Sequence, residues 1–343
     1  MAGPRRGPSA LSWVIKIVLA LAVSAGALWW TFRDVDLRAL VSELAASSPT
    51  VILMYCVAQL VVHLVRVVRW ALMVGPLGPA SRRAIFSSAS VGIPAAMFLP
   101  LRLGELVRPV MIARAGIPFG GAMASVVAER LADGLTNVGL FFLLLSLMPA
   151  SSPLSDDLRL MSRIALIGFG GACVLLLVIA VARRSALAVL ARLFEPIAPA
   201  LGRRLTKLLG TFIDGLAPLG QPSRLFGFVV LTAIYWGING GMTTVLAKSY
   251  GIDVPWIAGP FAVVIVVFAV TIPAGPAFTG TLQAGFRLGL APFAVTPAQA
   301  ALVGTAVYLI QICIQALILL AGMLTAEPGQ RALAPEQAQA EGH

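Results

Sequence analysis

The decapeptide "PLRLGELVRP", residues 100–109, sets Arg102, Glu105 and Arg108 at steps of three between two prolines, in a chain that is 59% hydrophobic. Charges at that spacing line one side of a short helix. The prolines keep it short, because each lacks a helical donor and clashes with the preceding turn. Irregular backbone of this kind is tolerated at membrane depth only where protein or a wet cavity surrounds it. The decapeptide therefore reads as a re-entrant break inside a membrane domain.

The rest of the chain supplies that domain. A mean hydropathy of +0.94 and a charged fraction of 11% lie outside the soluble globular range. Apolar runs near 11–32, 49–75, 117–149, 161–182, 225–249, 256–272 and 297–324 are candidates for helices of the ~20 residues that a bilayer requires. The first follows Arg5 and Arg6 but no small-x-small cleavage site precedes a polar domain, so it reads as a retained helix. Two apolar stretches are interrupted: 84–116 by Pro94, Pro100 and Gly104, and 273–296 by Pro273, Pro276 and Gly280. The expected fold is all-α and polytopic, with seven to eight transmembrane helices and two Pro/Gly-broken re-entrant elements. Sliding the chain by 179 residues lays Pro94 on Pro273, Arg108 on Arg287 and Pro118 on Pro297, a weak sign of an internal two-fold repeat.

One domain is expected over 1–324, with halves at about 11–182 and 225–324. A basic segment, 183–224, joins them; there Leu201, Leu205, Leu208 and Phe212 share a helical face opposite Arg203, Arg204 and Lys207. A polar tail without fixed structure is expected from 325 to 343. Basic loops at 1–10, 76–83 and 183–224 place those segments and the N-terminus in the cytoplasm, while 33–49 and 150–160, each with one more acid than base, read as external. The expected location is a bacterial-type inner membrane.

The net charge of +11 could suit nucleic acid in a soluble chain, but in a membrane chain it belongs to cytoplasmic loops facing anionic lipid heads. No nucleic-acid partner is expected. Cys56, Cys173 and Cys313 lie inside apolar runs without metal-type spacing and read as small core residues. No metal and no cofactor is expected. With two His in the chain and no GxSxG, Walker loop or HExxH, ordinary enzymology has no support. The small-xxx-small pairs Gly237/Gly241 and Gly285/Gly289 read as close helix packing.

Three polar clusters stand at membrane depth: the decapeptide, then Glu129, Arg130 and Asp133, then His63, Arg66 and Arg69. A charge at the bilayer centre costs on the order of 3 kcal/mol or more, so these groups must face the interior and pair. Glu129, Arg130 and Asp133 read as a locally paired group, which leaves Arg102 and Arg108 sharing Glu105 with one positive charge uncompensated. Two readings follow. The charges neutralise one another as helix glue, or the arginine excess holds an anionic headgroup, with planar guanidinium suited to phosphate. For Arg66 and Arg69 the bland reading is that both snorkel to the cytoplasmic interface.

The stretch "PLRLGELVRPVMIARAGIPFGGAMASVVAERLADGL", residues 100–135, resembles the signature of the lysylphosphatidylglycerol synthase transmembrane-region family, also called flippase-like: an R-x-G-E-x-x-R run, a small-Pro step, then E-R-x-x-D. The likeness spans about 11–324. It implies a polytopic inner-membrane protein that moves a phospholipid or other amphiphile between leaflets, with Arg102, Gly104, Glu105, Arg108, Glu129, Arg130 and Asp133 as its polar signature. The family's second motif is matched less well, since "PAGPAFTGTLQAG" carries Ala277 for a glycine and Gln283 for an acid. Gln283 and Arg287 are candidate contacts beside Arg66 and Arg69, although an amide at 283 cannot carry a proton. A soluble aminoacyl-transfer domain is lacking, so lipid aminoacylation is not expected. The expected partner is a membrane lipid with an anionic head; the alternative is a non-transporting accessory subunit of a lipid-modifying enzyme.

Overall fold

The computed structural model describes residues 10–148, 167, 171, 221–272 and 274–331. Within them the chain is helical: α1 Ala10–Phe32, α2 Leu37–Ala45, α3 Pro49–Val74, α4 Arg82–Phe98, α5 Val107–Ala113, α6 Phe119–Ser146, α7 Pro222–Ser249, α8 Ala258–Ala269, α9 Thr281–Leu290, α10 Pro297–Thr325 and α11 Pro328–Arg331. Three of these, α3, α7 and α10, are long and apolar enough to cross a membrane, and α1 with α2, bent by 85°, makes a fourth candidate. α6 is equally long at 28 residues but carries Glu129, Arg130 and Asp133. The run at 161–182 and the amphipathic segment at 201–216 lie outside the described residues.

Helix starts follow local chemistry. Ser81 Oγ accepts from the Ala84 amide at 2.9 Å to begin α4. Thr296 and Gln299 form a reciprocal capping box at α10, with Pro297 in the first turn.

The apolar run at 256–272 does not form a span. α8 has 12 residues, about 18 Å at ~1.5 Å per residue, against a hydrocarbon core of ~30 Å. It is instead the first arm of a helical hairpin whose second arm is α9. The arms close on glycine: a Cβ on Gly285 would lie 2.7 Å from Val266 Cα, and one on Gly289 2.6 Å from Ala262 Cα. Between them the backbone turns through left-handed Ala277, Phe278 and Gly280, with φ of 56°, 56° and 86°. The expected break at 273–296 thus begins as the notch of a hairpin that starts at 258, and Pro273 itself lies outside the described residues.

A matching hairpin is made by α4 and α5. Pro94 does not break it: α4 continues to Phe98, and the chain leaves the helix at extended Leu99, immediately before Pro100. Residues Pro100–Leu106 then form a 3-10 helix. The return path needs glycine, since a Cβ on Gly104 would lie 2.0 Å from the Ala95 carbonyl carbon and one on Gly92 2.5 Å from Arg108 Cβ.

The hairpins are inserted among the long helices. α4 packs on α10, α8 packs on α6 and α7, and α7 packs along α3. Residues 326–331 also take part: Gln330 is buried, its amide donating to Ala84 O at 3.1 Å and to Ser88 Oγ at 2.9 Å, while Ser87 Oγ donates to its oxygen at 2.7 Å. The fixed structure therefore extends through Arg331, past the position where an unstructured tail was expected.

Gly104→Ala should lower the stability of the purified protein by about 1–3 kcal/mol or more, because backbone must shift. Gly134→Ala, which meets nothing within 4 Å, should raise it slightly. Unfolding midpoints in detergent compare the two.

Candidate functional site

Glu129, Asp133, Arg69 and Arg108 arrive from two helices, α3 and α6, and the first hairpin's return arm, α5. Arg69 (α3) and Glu129 (α6) have no exposed side-chain surface. Arg69 Nη2 donates to Glu129 Oε1 at 2.8 Å and to Asp133 Oδ2 at 2.9 Å, and Nη1 donates to Asp133 Oδ1 at 2.7 Å, so the planar fork grips Asp133 with both nitrogens. Arg108 Nη1 (α5) lies 2.7 Å from the other Glu129 oxygen. Glu129 is thus an ion-pair bridge between two guanidinium groups. A buried carboxylate at this depth is tolerable on those terms.

Aromatic rings and a hydroxyl complete the packing. Arg108 sits 4.8 Å from the Trp70 ring centroid, Arg69 sits 5.2 Å from Phe228 and 5.4 Å from Tyr235, and Arg66 sits 5.8 Å from Tyr235. Trp70 is fixed by its indole N–H to Ser125 Oγ at 3.1 Å, and Arg69 Nη1 also reaches Thr232 Oγ1 at 3.3 Å.

These partners differ from the local pairing that the sequence suggested. Glu129 does not bind Arg130, since adjacent residues point about 100° apart on a helix, and Asp133 is instead gripped by Arg69, which approaches from across the bundle. Glu105 does not restrain Arg108, which turns to Glu129. Arg69 does not snorkel, being wholly enclosed. The Arg102 side chain lies outside the described set.

A charge excess nevertheless remains. Arg69 and Arg108 are matched by Glu129 and Asp133, while Arg66 and Arg130 form no ion pair among the described residues. Arg130 feels the charge of Glu105 without bonding it, and its buried Nε has no hydrogen-bond partner. Four guanidinium groups face three carboxylates. One positive charge is left over.

Above this cluster a neutral polar file continues along α3. His63 Nε2 meets Ser90 Oγ at 2.9 Å, Gln59 donates to Asn239 Oδ1 at 3.3 Å, and Gln311 donates to Gln59 Oε1 at 3.1 Å, joining α3 to α4, α7 and α10.

Residues from 17 to 322 match the family described as lysylphosphatidylglycerol synthase TM region. The chain belongs to that family. Membership makes it a membrane protein linked to lipid metabolism. No curated protein matches the chain.

Not every signature position of this lysylphosphatidylglycerol synthase TM region member joins the cluster. Gln283 is consumed structurally, its Oε1 accepting from the Gly280 amide at 2.9 Å to cap α9. Arg287 clamps the end of α1: it bonds Asp34 Oδ2 at 2.7 Å and the carbonyls of Trp30 and Thr31, with its guanidinium 4.5 Å from the Trp30 ring. Hydrogen bonding from Arg287 holds the Asp34 carboxyl below the usual carboxylate range. That end of the bundle is where α3 begins at Pro49, some 20 residues from Arg69, or about 30 Å along a helix. The Cys residues also depart from expectation, with Cys56 half-buried and Cys313 exposed. Trp70, Phe228, Thr232 and Tyr235 escaped the sequence reading because aromatic and hydroxyl residues inside apolar runs carry no signature of their own.

Glu129→Gln should cost about 3–5 kcal/mol of stability, since it leaves two guanidinium groups facing a neutral amide. Glu105→Gln, which breaks no ion pair among the described residues, should cost less than about 1 kcal/mol. Chemical unfolding in detergent measures both.

Proposed function

We propose that this protein is a non-enzymatic transporter that moves an anionic phospholipid, or another amphiphile with a negative head, between membrane leaflets. The observation that carries the reading is that Arg66 and Arg130 have no ion pair among the described residues, beside a Glu129 already ion-paired with two other arginines. Such a charge at membrane depth is stabilised by an anion, and phosphate suits the planar fork. Within the cluster Glu129 and Asp133 are both engaged with arginine, an arrangement that favours binding over covalent chemistry. The ligands of the head in this reading are Arg66 and Arg130. Arg69 and Arg108 hold the frame.

The finer topology belongs to the same proposal. Seven to eight crossings in an inner membrane, with the N-terminus in the cytoplasm, accommodate the basic loops. The order long helix, broken hairpin, long helix occurs in α3 to α6 and again in α7 to α10, which supports the two-fold repeat proposed from the 179-residue offset.

In vesicles of phosphatidylcholine with a fluorescent phosphatidylglycerol, the wild-type protein should equilibrate the labelled lipid between leaflets. Arg130→Gln should slow this about tenfold or more with normal expression, given roughly 1.5–3 kcal/mol for a charged hydrogen bond. Arg130→Lys should recover only part. A protein that leaves the label in its original leaflet, and purifies as a stable complex with a lipid-modifying enzyme, would instead be an accessory subunit.

A further inference from the structure

A cavity of about 570 Å³ lies between α6, α7 and α8, walled by Leu140, Leu144, Phe228, Trp236, Val263 and Val264 among others. It adjoins the charged cluster at Arg69. Phe228, against which Arg69 packs, and Thr232, which accepts from Arg69, both line it.

The wall is apolar in effect as well as in composition. Its threonines turn their hydroxyls onto their own helices, Thr136 to Ala132 O at 2.8 Å and Thr232 to Phe228 O at 2.7 Å. A sugar or free nucleotide would leave its polar groups unbonded along such walls.

Glycine keeps the space open. On α7, Gly240 is pressed onto Pro260, where a Cβ would lie 2.8 Å from Pro260 Cα, whereas Gly237 and Gly241 meet nothing within 4 Å. The small-xxx-small pair Gly237/Gly241 therefore does not pack a neighbouring helix, in contrast to Gly285/Gly289. Gly237 lines the cavity.

The dimensions match half a bilayer. The lining runs from Leu225 to Gly237 on α7 and from Ala132 to Leu144 on α6, about 18 Å on each helix at ~1.5 Å per residue, slightly more than half of a ~30 Å hydrocarbon core. That is the depth of one leaflet, and so of one acyl chain.

We propose that this groove seats one acyl chain of the lipid whose anionic head is held at Arg66 and Arg130; the inference rests on the transport reading above. The arginine cluster and the apolar groove share Phe228 and Thr232, as the head and tail of one anionic amphiphile adjoin. The substrate class is then a lipid with a flexible hydrocarbon chain, and water-soluble anions are at best partial ligands.

Gly237→Leu in the purified full-length protein tests this, because it adds a side chain to the groove without a clash. Binding of dioleoyl phosphatidylglycerol should weaken at least tenfold, while binding of glycerol phosphate stays at the wild-type level. A correctly folded Gly237→Leu with wild-type affinity for the phospholipid would overturn the proposal. The head assignment fails separately: wild-type protein that ignores glycerol phosphate, yet loses phospholipid on Gly237→Leu, keeps the groove and removes the arginine site. A measurement on unaltered protein covers the case in which the variant does not fold. Phosphatidylglycerol bearing a diazirine at one chain end should label peptides within Phe119–Ser146 and Pro222–Ser249, and excess unlabelled lipid should suppress it. Labelling spread over the lipid-facing helices and indifferent to competitor would contradict the assignment.

Discussion

The bridge from Arg69 through Glu129 to Arg108 governs the rest of the structure. A carboxylate removed from water at membrane depth must be paired, and Glu129 is paired twice, by groups from α3 and from the return arm of the first hairpin. That requirement fixes how far the hairpin enters the bundle. Arg108 reaches Glu129 only if α5 lies directly on α4, and α5 lies there only because Gly92 and Gly104 have no side chain. Sequence-local features, a proline stop at 100 and glycines at 92 and 104, are thereby coupled to an ion pair between segments 21 residues apart.

Once Glu129 and Asp133 are occupied, the remaining arginines acquire their meaning. Arg66 packs on Tyr235 and Arg130 keeps an unbonded Nε. Arginine retains its charge under any protein condition, so the excess cannot be relieved by losing a proton and must be met by a counter-charge. The adjoining groove is apolar and its threonines are turned inward on their helices. On the proposed reading, the head and tail of an amphiphile meet adjacent but chemically distinct surfaces, one built by charge surplus and the other by absent side chains on α7.

Much of the scaffold was legible in the residues. α3, α6, α7 and α10 lie where long apolar runs stand, and the prolines at 100 and 276 mark real departures from α-helix. The run at 256–272 misled because a uniformly apolar segment looks the same whether it faces lipid or forms a 12-residue arm inside protein. Pro94 misled in the opposite sense, since helices packed among other helices can absorb a proline. The charged residues were recognised by their depth, yet their partners were not. Adjacency in sequence favoured Glu129 with Arg130, whereas the fold brings Arg69 from α3 and gives Arg130 no ion pair among the described residues. Gln283 and Arg287 stood at motif-like positions and turned out to cap a helix and clamp α1, tasks that depend on backbone geometry invisible in a single chain of letters.

The central claim is that the cluster holds a positive charge which an anionic lipid neutralises. Native mass spectrometry of the protein extracted from membranes of mixed phosphatidylcholine and phosphatidylglycerol measures this directly. The wild type should selectively retain the anionic lipid and lose it when Arg66 and Arg130 are both replaced by Gln in a protein that still folds. Equal retention of neutral and anionic lipid, unchanged by that double replacement, would contradict it.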